Sequence, residues 1–221
     1  MARELFSREL NQIQDEVLNL GEMVTVAINA SIEALKNRDV EKAKKIIADD
    51  LKVNKKRWDI EEQCLQLIAT QQPAARDLRF LAAVLVIITE LERMGDYAEG
   101  IAKINVMMGD QPLVKPLVDI PRMAQKAIDM LHRGLEAFIN NDAPMAKAIC
   151  DEDDEVDNLW NQVYRELLTF MIQDPQTINR ATYLIWVAHN LERIADRVTN
   201  ICERTVFLVT GRMEEMNVSK Y

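Results

Sequence analysis

Leu91-Glu-Arg-Met-Gly-Asp96 returns one hundred residues later as Leu191-Glu-Arg-Ile-Ala-Asp196. Two other echoes keep the same order. Asn37-Arg-Asp39 with Ala43-Lys44 recurs as Asn140-Asn-Asp142 with Ala146-Lys147, at an offset of 103. Gln72-Pro73 recurs as Asp174-Pro175, at an offset of 102. Three matches in the same order mark an internal duplication. Around the first motif, Val84, Ile87, Leu91, Met94, Ala98 and Ile101 keep a three-to-four spacing. Around the second, Leu184, Val187, Leu191, Ile194, Val198, Ile201 and Leu208 do the same. That is the a/d period of a helix facing a bundle.

The rest of the chain follows this pattern outward. All six prolines fall between helical periodicities, at Pro73, Pro112, Pro116, Pro121, Pro144 and Pro175. Proline is costly inside a helix and tolerated in its first turn, so these mark joints. The spacing predicts six helices, near 4–36, 39–70, 74–108, 120–140, 143–172 and 176–211. Asn37–Asp39 and Asn140–Asp142 carry turn and N-cap chemistry. The fold class is all-α: two tandem three-helix bundles related by duplication. The expected division is a first repeat over 1–109, a linker over 110–119 and a second repeat over 120–221. Short connections make neighbouring helices antiparallel.

Composition narrows the function classes. Apolar residues make up 48% of the 221 and charged residues 29%, which suits a packed core under a soluble surface. The net charge of −9 repels phosphate backbones, and no basic cluster with interleaved aromatics offsets it, so nucleic acid is not an expected partner. Cys64, Cys150 and Cys202 form no C-x-x-C pair and follow no signal peptide. They read as free, buried thiols in a reducing cytoplasm. The longest apolar run, Phe80 to Ile88, is nine residues. A span needs about 20, so any membrane association is expected through a partner.

The chemistry lies in the acids of the third and sixth helices. Glu92, Asp96 and Glu99 fall on one stripe, as do Glu192, Asp196 and Glu203. At 100° per residue this stripe sits about 150° from the apolar seam, which predicts an outer face. Carboxylates at i and i+4 lie ~6 Å apart and repel; a hard cation reverses that sign. The same spacing also suits an ordinary solvated face, with Arg93 and Arg193 as i,i+3 partners. In the second and fifth helices, Asp153 and Asp157 border the apolar face and Asp50 with Asn54 occupies the matching place. These are either further ligands or solvated and capping positions. His189 shares the face of Glu192 and Asp196, either as an extra ligand or as a lone surface histidine. His132 has no acidic constellation, and Trp58, Trp160 and Trp186 read as core or interface anchors.

No H-E-x-x-H, G-x-S-x-G, P-loop or G-x-G-x-x-G motif occurs. Nothing assembles a nucleophile, a base and an oxyanion donor, so no catalytic residues and no enzymatic activity are expected. A hydrolase built on a surface metal cluster and a plain helical scaffold or chaperone remain as alternatives.

Glu90-Leu-Glu-Arg-Met-Gly-Asp-Tyr-Ala-Glu99 and Leu191-Glu-Arg-Ile-Ala-Asp-Arg197 resemble the repeats of the PhoU family, bacterial accessory proteins of phosphate transport. Gln72-Pro-Ala-Ala-Arg-Asp-Leu-Arg79 and Asp174-Pro-Gln-Thr-Ile178 match the turns before them, so the resemblance runs almost end to end. It implies multinuclear surface metal clusters of iron or zinc, with magnesium or manganese also compatible. By motif position the ligands would be Glu92, Asp96 and Glu99 in one half and Glu192 and Asp196 in the other. Asp50 with Asn54 would join the first cluster, and Asp153 with Asp157 the second. The resemblance further implies a negative regulator of the phosphate-starvation response that bridges the ATPase subunit of a phosphate ABC transporter to a sensor histidine kinase. It also implies a homodimer. Two departures stand out: Ala195 replaces Gly95, and Thr199 stands where the first half has Glu99.

Overall fold

A computed structural model describes residues 2–213 and 216. Among them are seven α-helices and one 3-10 turn, with no strand. The first half holds α1 (Ala2–Asn37), α2 (Val40–Gln71) and α3 (Ala75–Met108). The second holds α4 (Asp119–Asn140), α5 (Ala143–Asp151), α6 (Asp153–Gln173), the 3-10 turn Pro175–Thr177 and α7 (Ile178–Thr210). The all-α, duplicated three-helix reading holds.

The turns are built as their residues dictate. Asp39 accepts the Lys42 N–H at 2.9 Å and Asp142 accepts the Met145 N–H at 2.9 Å, so each caps the helix that follows it. Between helices the chain passes through left-handed conformations at Arg38 (φ 55°) and Asn141 (φ 53°). Asn tolerates that region better than Arg. Arg38 is held there from both sides: its own N–H bonds the Leu35 carbonyl at 3.1 Å, and the Asp39 N–H bonds that of Ala34 at 2.8 Å.

One expected helix is two. The reading of a single helix over 143–172 fails at Glu152, where α5 stops and α6 begins. Asp151-Glu-Asp-Asp-Glu155 is five consecutive acids. Mid-helix they repel one another; in a first turn they meet the positive end of a helix dipole. Glu152 itself is claimed by α4, with Lys126 Nζ at 2.9 Å and Arg133 Nη2 at 2.7 Å.

The two halves share one core. Buried side chains from α1 to α7 form a continuous cluster. Two antiparallel contacts across the halves make this possible. In the first, α1 crosses α4: Thr25 Oγ1 is 3.2 Å from His132 Nε2, and Gln14 Nε2 donates to the Ile139 carbonyl at 3.4 Å. In the second, α3 crosses α7. Arg197 and Asn200 donate to Glu90 Oε2 at 3.3 and 3.1 Å, and Arg193 Nε donates to Tyr97 Oη at 3.4 Å. At the other end Gly100 faces Asn190, whose amide nitrogen would stand 3.4 Å from a Cβ there. The offset of 100 carries the pair 90/200 onto the pair 190/100, so the crossing has local two-fold symmetry. Phe80 also stacks on Phe138 across the halves, centroids 5.6 Å apart.

Glu90 has a side-chain exposure of 12%, and Arg197 has 18%. Removing one partner leaves a largely desolvated charge behind. Glu90→Ala is expected to cost about 2 kcal/mol of unfolding free energy. The check is a urea titration, with the midpoint lowered and the native helical circular dichroism unchanged.

Candidate metal centres

Each half gathers its acids from two helices. In the first, α2 brings Asp50 against the α3 stripe. The carboxylates of Asp50, Asp96 and Glu99 each offer an oxygen within 4.8 Å of the others. Gly95 makes this approach possible. A Cβ there would lie 3.1 Å from Val53 Cγ1 and 3.3 Å from Asp50 Oδ1, tighter than ordinary contact. Asn54 donates to Asp50 Oδ2 at 2.9 Å and so orients that carboxylate. Lys103 bonds Glu99 at 2.6 Å. Glu92 stands further along the same stripe, within electrostatic reach of Asp50 and Asp96. An apolar cleft of ≈ 290 Å³ between α1 and α2, walled by Met23, Val26 and Val53, opens beside Asp50 and Glu99.

In the second half, α6 supplies Asp153 and Asp157, and α7 supplies Glu192 and Asp196. Asp153, at the first position of α6, is buried to 2% exposure. The break at Glu152 thus coincides with the entry of a carboxylate into the interior. Asp196, Asp157 and Asp153 all act on Glu192. Arg193 Nε lies 3.8 Å from Asp196 Oδ2. Thr199, where the first half has Glu99, is buried and donates to the Asp196 carbonyl at 2.7 Å. Glu203 lies outside the cluster and accepts the Met216 N–H at 2.9 Å.

The stripe is not the outer face that its helical wheel predicts. Glu92, Glu99, Glu192 and Asp196 are all partly buried, and Asp96 alone is exposed. The wheel assumes one buried face. The α3 helix packs on α1, α2 and α7 together, and α7 packs on α3, α4, α5 and α6. Most of the side opposite each seam is therefore also covered. Gly95, Ala98 and Ala102, with Ala188 and Ala195, are the small buried residues that permit such packing on several sides.

Partial burial sets the electrostatics. Desolvation, then Glu99 and Asp96, raises Asp50 to about 6 despite the Asn54 hydrogen bond. Desolvation, then Asp196 and Asp157, raises Glu192 to about 7. Glu92, Asp157 and Asp196 all shift upward as well, burial being the largest cause for each; the exposed Asp96 also shifts upward, by desolvation of its carboxylate among its neighbours and then by Glu99. His189 Nδ1 is 3.0 Å from Glu192 Oε2, an oxygen sealed from solvent that accepts no well-aligned hydrogen bond. Burial and then Arg193 push the His189 imidazole down, toward its neutral, ligand-competent form.

This donor set fits a hard cation. It is almost wholly carboxylate oxygen, which suits iron, manganese and magnesium, while tetrahedral zinc favours nitrogen and sulfur. The buried thiols Cys64, Cys150 and Cys202 are free and belong to neither acidic group. Sequence reasoning missed Glu90, Asn190 and Asn200, which join the halves behind the clusters.

An acid raised in the folded state stabilises the fold below its unfolded value and loses that contribution as pH rises through the folded value. For Glu192 the window runs from about 4.5 to about 7, and for Asp50 from 3.8 to about 6. Chelator-treated protein is expected to lose thermal stability as pH rises from 5 to 8. Glu192→Gln should flatten that slope, as measured by melting temperature in matched buffers.

Comparison with known proteins accounts for both halves. The PhoU domain model matches residues 17–104 and again 120–205. The phosphate-specific transport system accessory protein PhoU homolog of Clostridium acetobutylicum is 35% identical, over 98% of this chain and 100% of that protein. The PhoU of Escherichia coli is 36% identical over 94% of this chain and 86% of its own length. The crystal structure of PhoU from Pseudomonas aeruginosa superposes with a TM-score of 0.88 at 31% identity, covering 94% of this chain and all of that one. The phosphate transport system regulatory protein PhoU from Streptococcus pneumoniae gives the same TM-score and identity over 95% of this chain. With a duplicated helical fold, a domain match in each half and near full-length similarity, this chain belongs to the PhoU family.

Proposed function

We propose that the protein is a cytoplasmic, non-catalytic negative regulator of the phosphate-starvation response. It links the ATPase subunit of a phosphate ABC transporter to a sensor histidine kinase, acts as a homodimer and holds metal ions in its two acidic clusters. The accessory role in phosphate transport follows from the family. The observation that carries the metal reading is the pairing of half-buried carboxylates from two helices in each half, with Asp50 raised to about 6 and Glu192 to about 7. Carboxylates held together against their own repulsion are a high-energy arrangement that a multivalent cation relieves.

On this reading Asp50, Glu92, Asp96 and Glu99 hold metal in the first half, with Asn54 orienting Asp50. Asp153, Asp157, Glu192 and Asp196 hold it in the second, with His189 at the rim. Bound metal supplies the positive charge that fixes the spacing of α2 to α3 and of α6 to α7. The surface beside the clusters then presents one shape to its partners. No helix among the described residues is long and apolar enough to cross a membrane, which is consistent with attachment through the transporter and the kinase.

Purified wild-type protein is expected to carry several metal equivalents by elemental analysis. The variant with Glu92, Asp96, Glu192 and Asp196 all replaced by Ala should carry none and keep its helical content. A metal-free wild type would overturn the cluster reading. In cells, Glu192→Ala with Asp196→Ala should switch on starvation genes in abundant phosphate. Continued normal repression would remove the clusters from the regulatory surface. Phosphatase turnover abolished by chelation would replace the non-catalytic reading with an enzymatic one.

A further inference from the structure

The solvent face of α2 carries three large apolar side chains seven residues apart. Leu51 is 70% exposed, Trp58 58% and Leu65 53%. The buried residues of the same helix, Val53, Ile60, Cys64 and Leu67, lie on the opposite side. Among the described residues, α2 packs only on α1 and α3, and none of them covers this stripe. A surface recess of ≈ 530 Å³ lies along it, lined by Trp58, Leu65, Glu61, Glu62 and Gln66. Isolated exposed apolar residues are ordinary on a protein surface; a straight heptad row of a tryptophan between two leucines has the form of a helix-pairing seam.

We infer that this stripe is the contact between two copies of the chain, packed α2 against α2, antiparallel, about a two-fold axis at Trp58. The inference rests on the homodimer included in the functional reading and names its surface. The charges beside the seam select both the partner and its direction. In the antiparallel pair Trp58 meets Trp58 of the partner subunit, and Leu51 meets Leu65 of the partner subunit. On one flank Lys55 then faces Glu62 of the partner subunit. On the other flank Arg57 and Glu61 pair with each other within the chain at 2.8 Å. The Lys55 pairing occurs twice, because a two-fold contact is self-complementary. A parallel pair would instead set Lys55 near the partner's Arg57, with like charges opposed.

Within the chain, Lys55 reaches Asp59 at 3.3 Å and is 74% exposed, and Glu62 is also exposed, so both are available to a second copy. The leucines are 14 residues apart, about 21 Å along the helix, which is a short seam centred on one aromatic anchor. Such a contact gives a dimer that forms and separates with concentration. The acidic clusters lie between α2 and α3 and between α6 and α7, beside the stripe and not on it.

The test is sedimentation equilibrium of the full chain over micromolar concentrations. Wild type is expected to dimerise, and Trp58→Glu is expected to raise the dimer dissociation constant by at least about ten-fold. Its circular dichroism should be unchanged, because the side chain it alters faces solvent. Lys55→Glu alone should also weaken the dimer, and Lys55→Glu combined with Glu62→Lys should restore it. A Trp58→Glu protein that dimerises like wild type overturns this surface while leaving the dimer itself standing. A double reversal no tighter than the single one overturns the antiparallel register. A wild type that stays monomeric at 100 µM, a concentration chosen for the test, overturns the surface and the dimer together.

Discussion

The antiparallel crossing of α3 and α7 is the constraint on which the molecule depends. It joins the halves through Glu90, Arg197 and Asn200 at one end and Gly100 with Asn190 at the other. It also gives these two helices a second packed face. An amphipathic helix in a free-standing three-helix bundle needs one apolar stripe; α3 and α7 need apolar or small residues on most of their circumference. Glu90 is spent on the crossing itself, and the acids of the two motifs, Glu92, Asp96 and Glu99 with Glu192 and Asp196, are left on the strips beside α2 and α6. The position of the clusters is a consequence of the way the halves join.

Confinement explains the electrostatics as well. A carboxylate row on an open helix face keeps ordinary acidity, because water solvates each charge. Here the second helix of each half removes part of that water and adds carboxylates of its own. Asp50 arrives beside Gly95, and Asp153 arrives at the start of α6. The two halves reach this state differently. The first uses a glycine to bring an unbroken α2 close. The second has Ala195 at that place and interrupts the corresponding helix at Glu152, which Lys126 and Arg133 hold against α4. Thr199 removes the third carboxylate from the second stripe, and α6 brings an extra one at Asp157, where the first half has Asn54.

Much of this was legible in the residues. The duplicated Leu-Glu-Arg motif, the proline joints and the capping aspartates Asp39 and Asp142 specify local structure through short-range chemistry. They were readable because that chemistry depends on neighbours in sequence. The break after Asp151 was equally local, since five successive acids suit a helix start better than a helix middle, yet apolar periodicity masked it. The burial of the acid stripe was not local. A helical wheel shows which residues share a side; it does not show how many other helices surround that side. Only the small residues at Gly95, Ala98 and Ala102 hinted at the second packed face. Glu90 opens the first motif, yet its role was not legible there, because its partners lie more than one hundred residues away.

The local two-fold at the α3–α7 crossing also bears on descent. A contact that maps onto itself when the halves are exchanged is the kind that two identical chains make with each other. A lone three-helix repeat carrying this face would bury it by pairing with its twin, with α1 against α1 and α3 against α3. Residues 109–118 connect two such units end to end and turn a bimolecular encounter into an intramolecular one. Once fused, the halves no longer had to remain alike. Ala195 and Gly95, Thr199 and Glu99, and the helix broken only in the second half record that freedom.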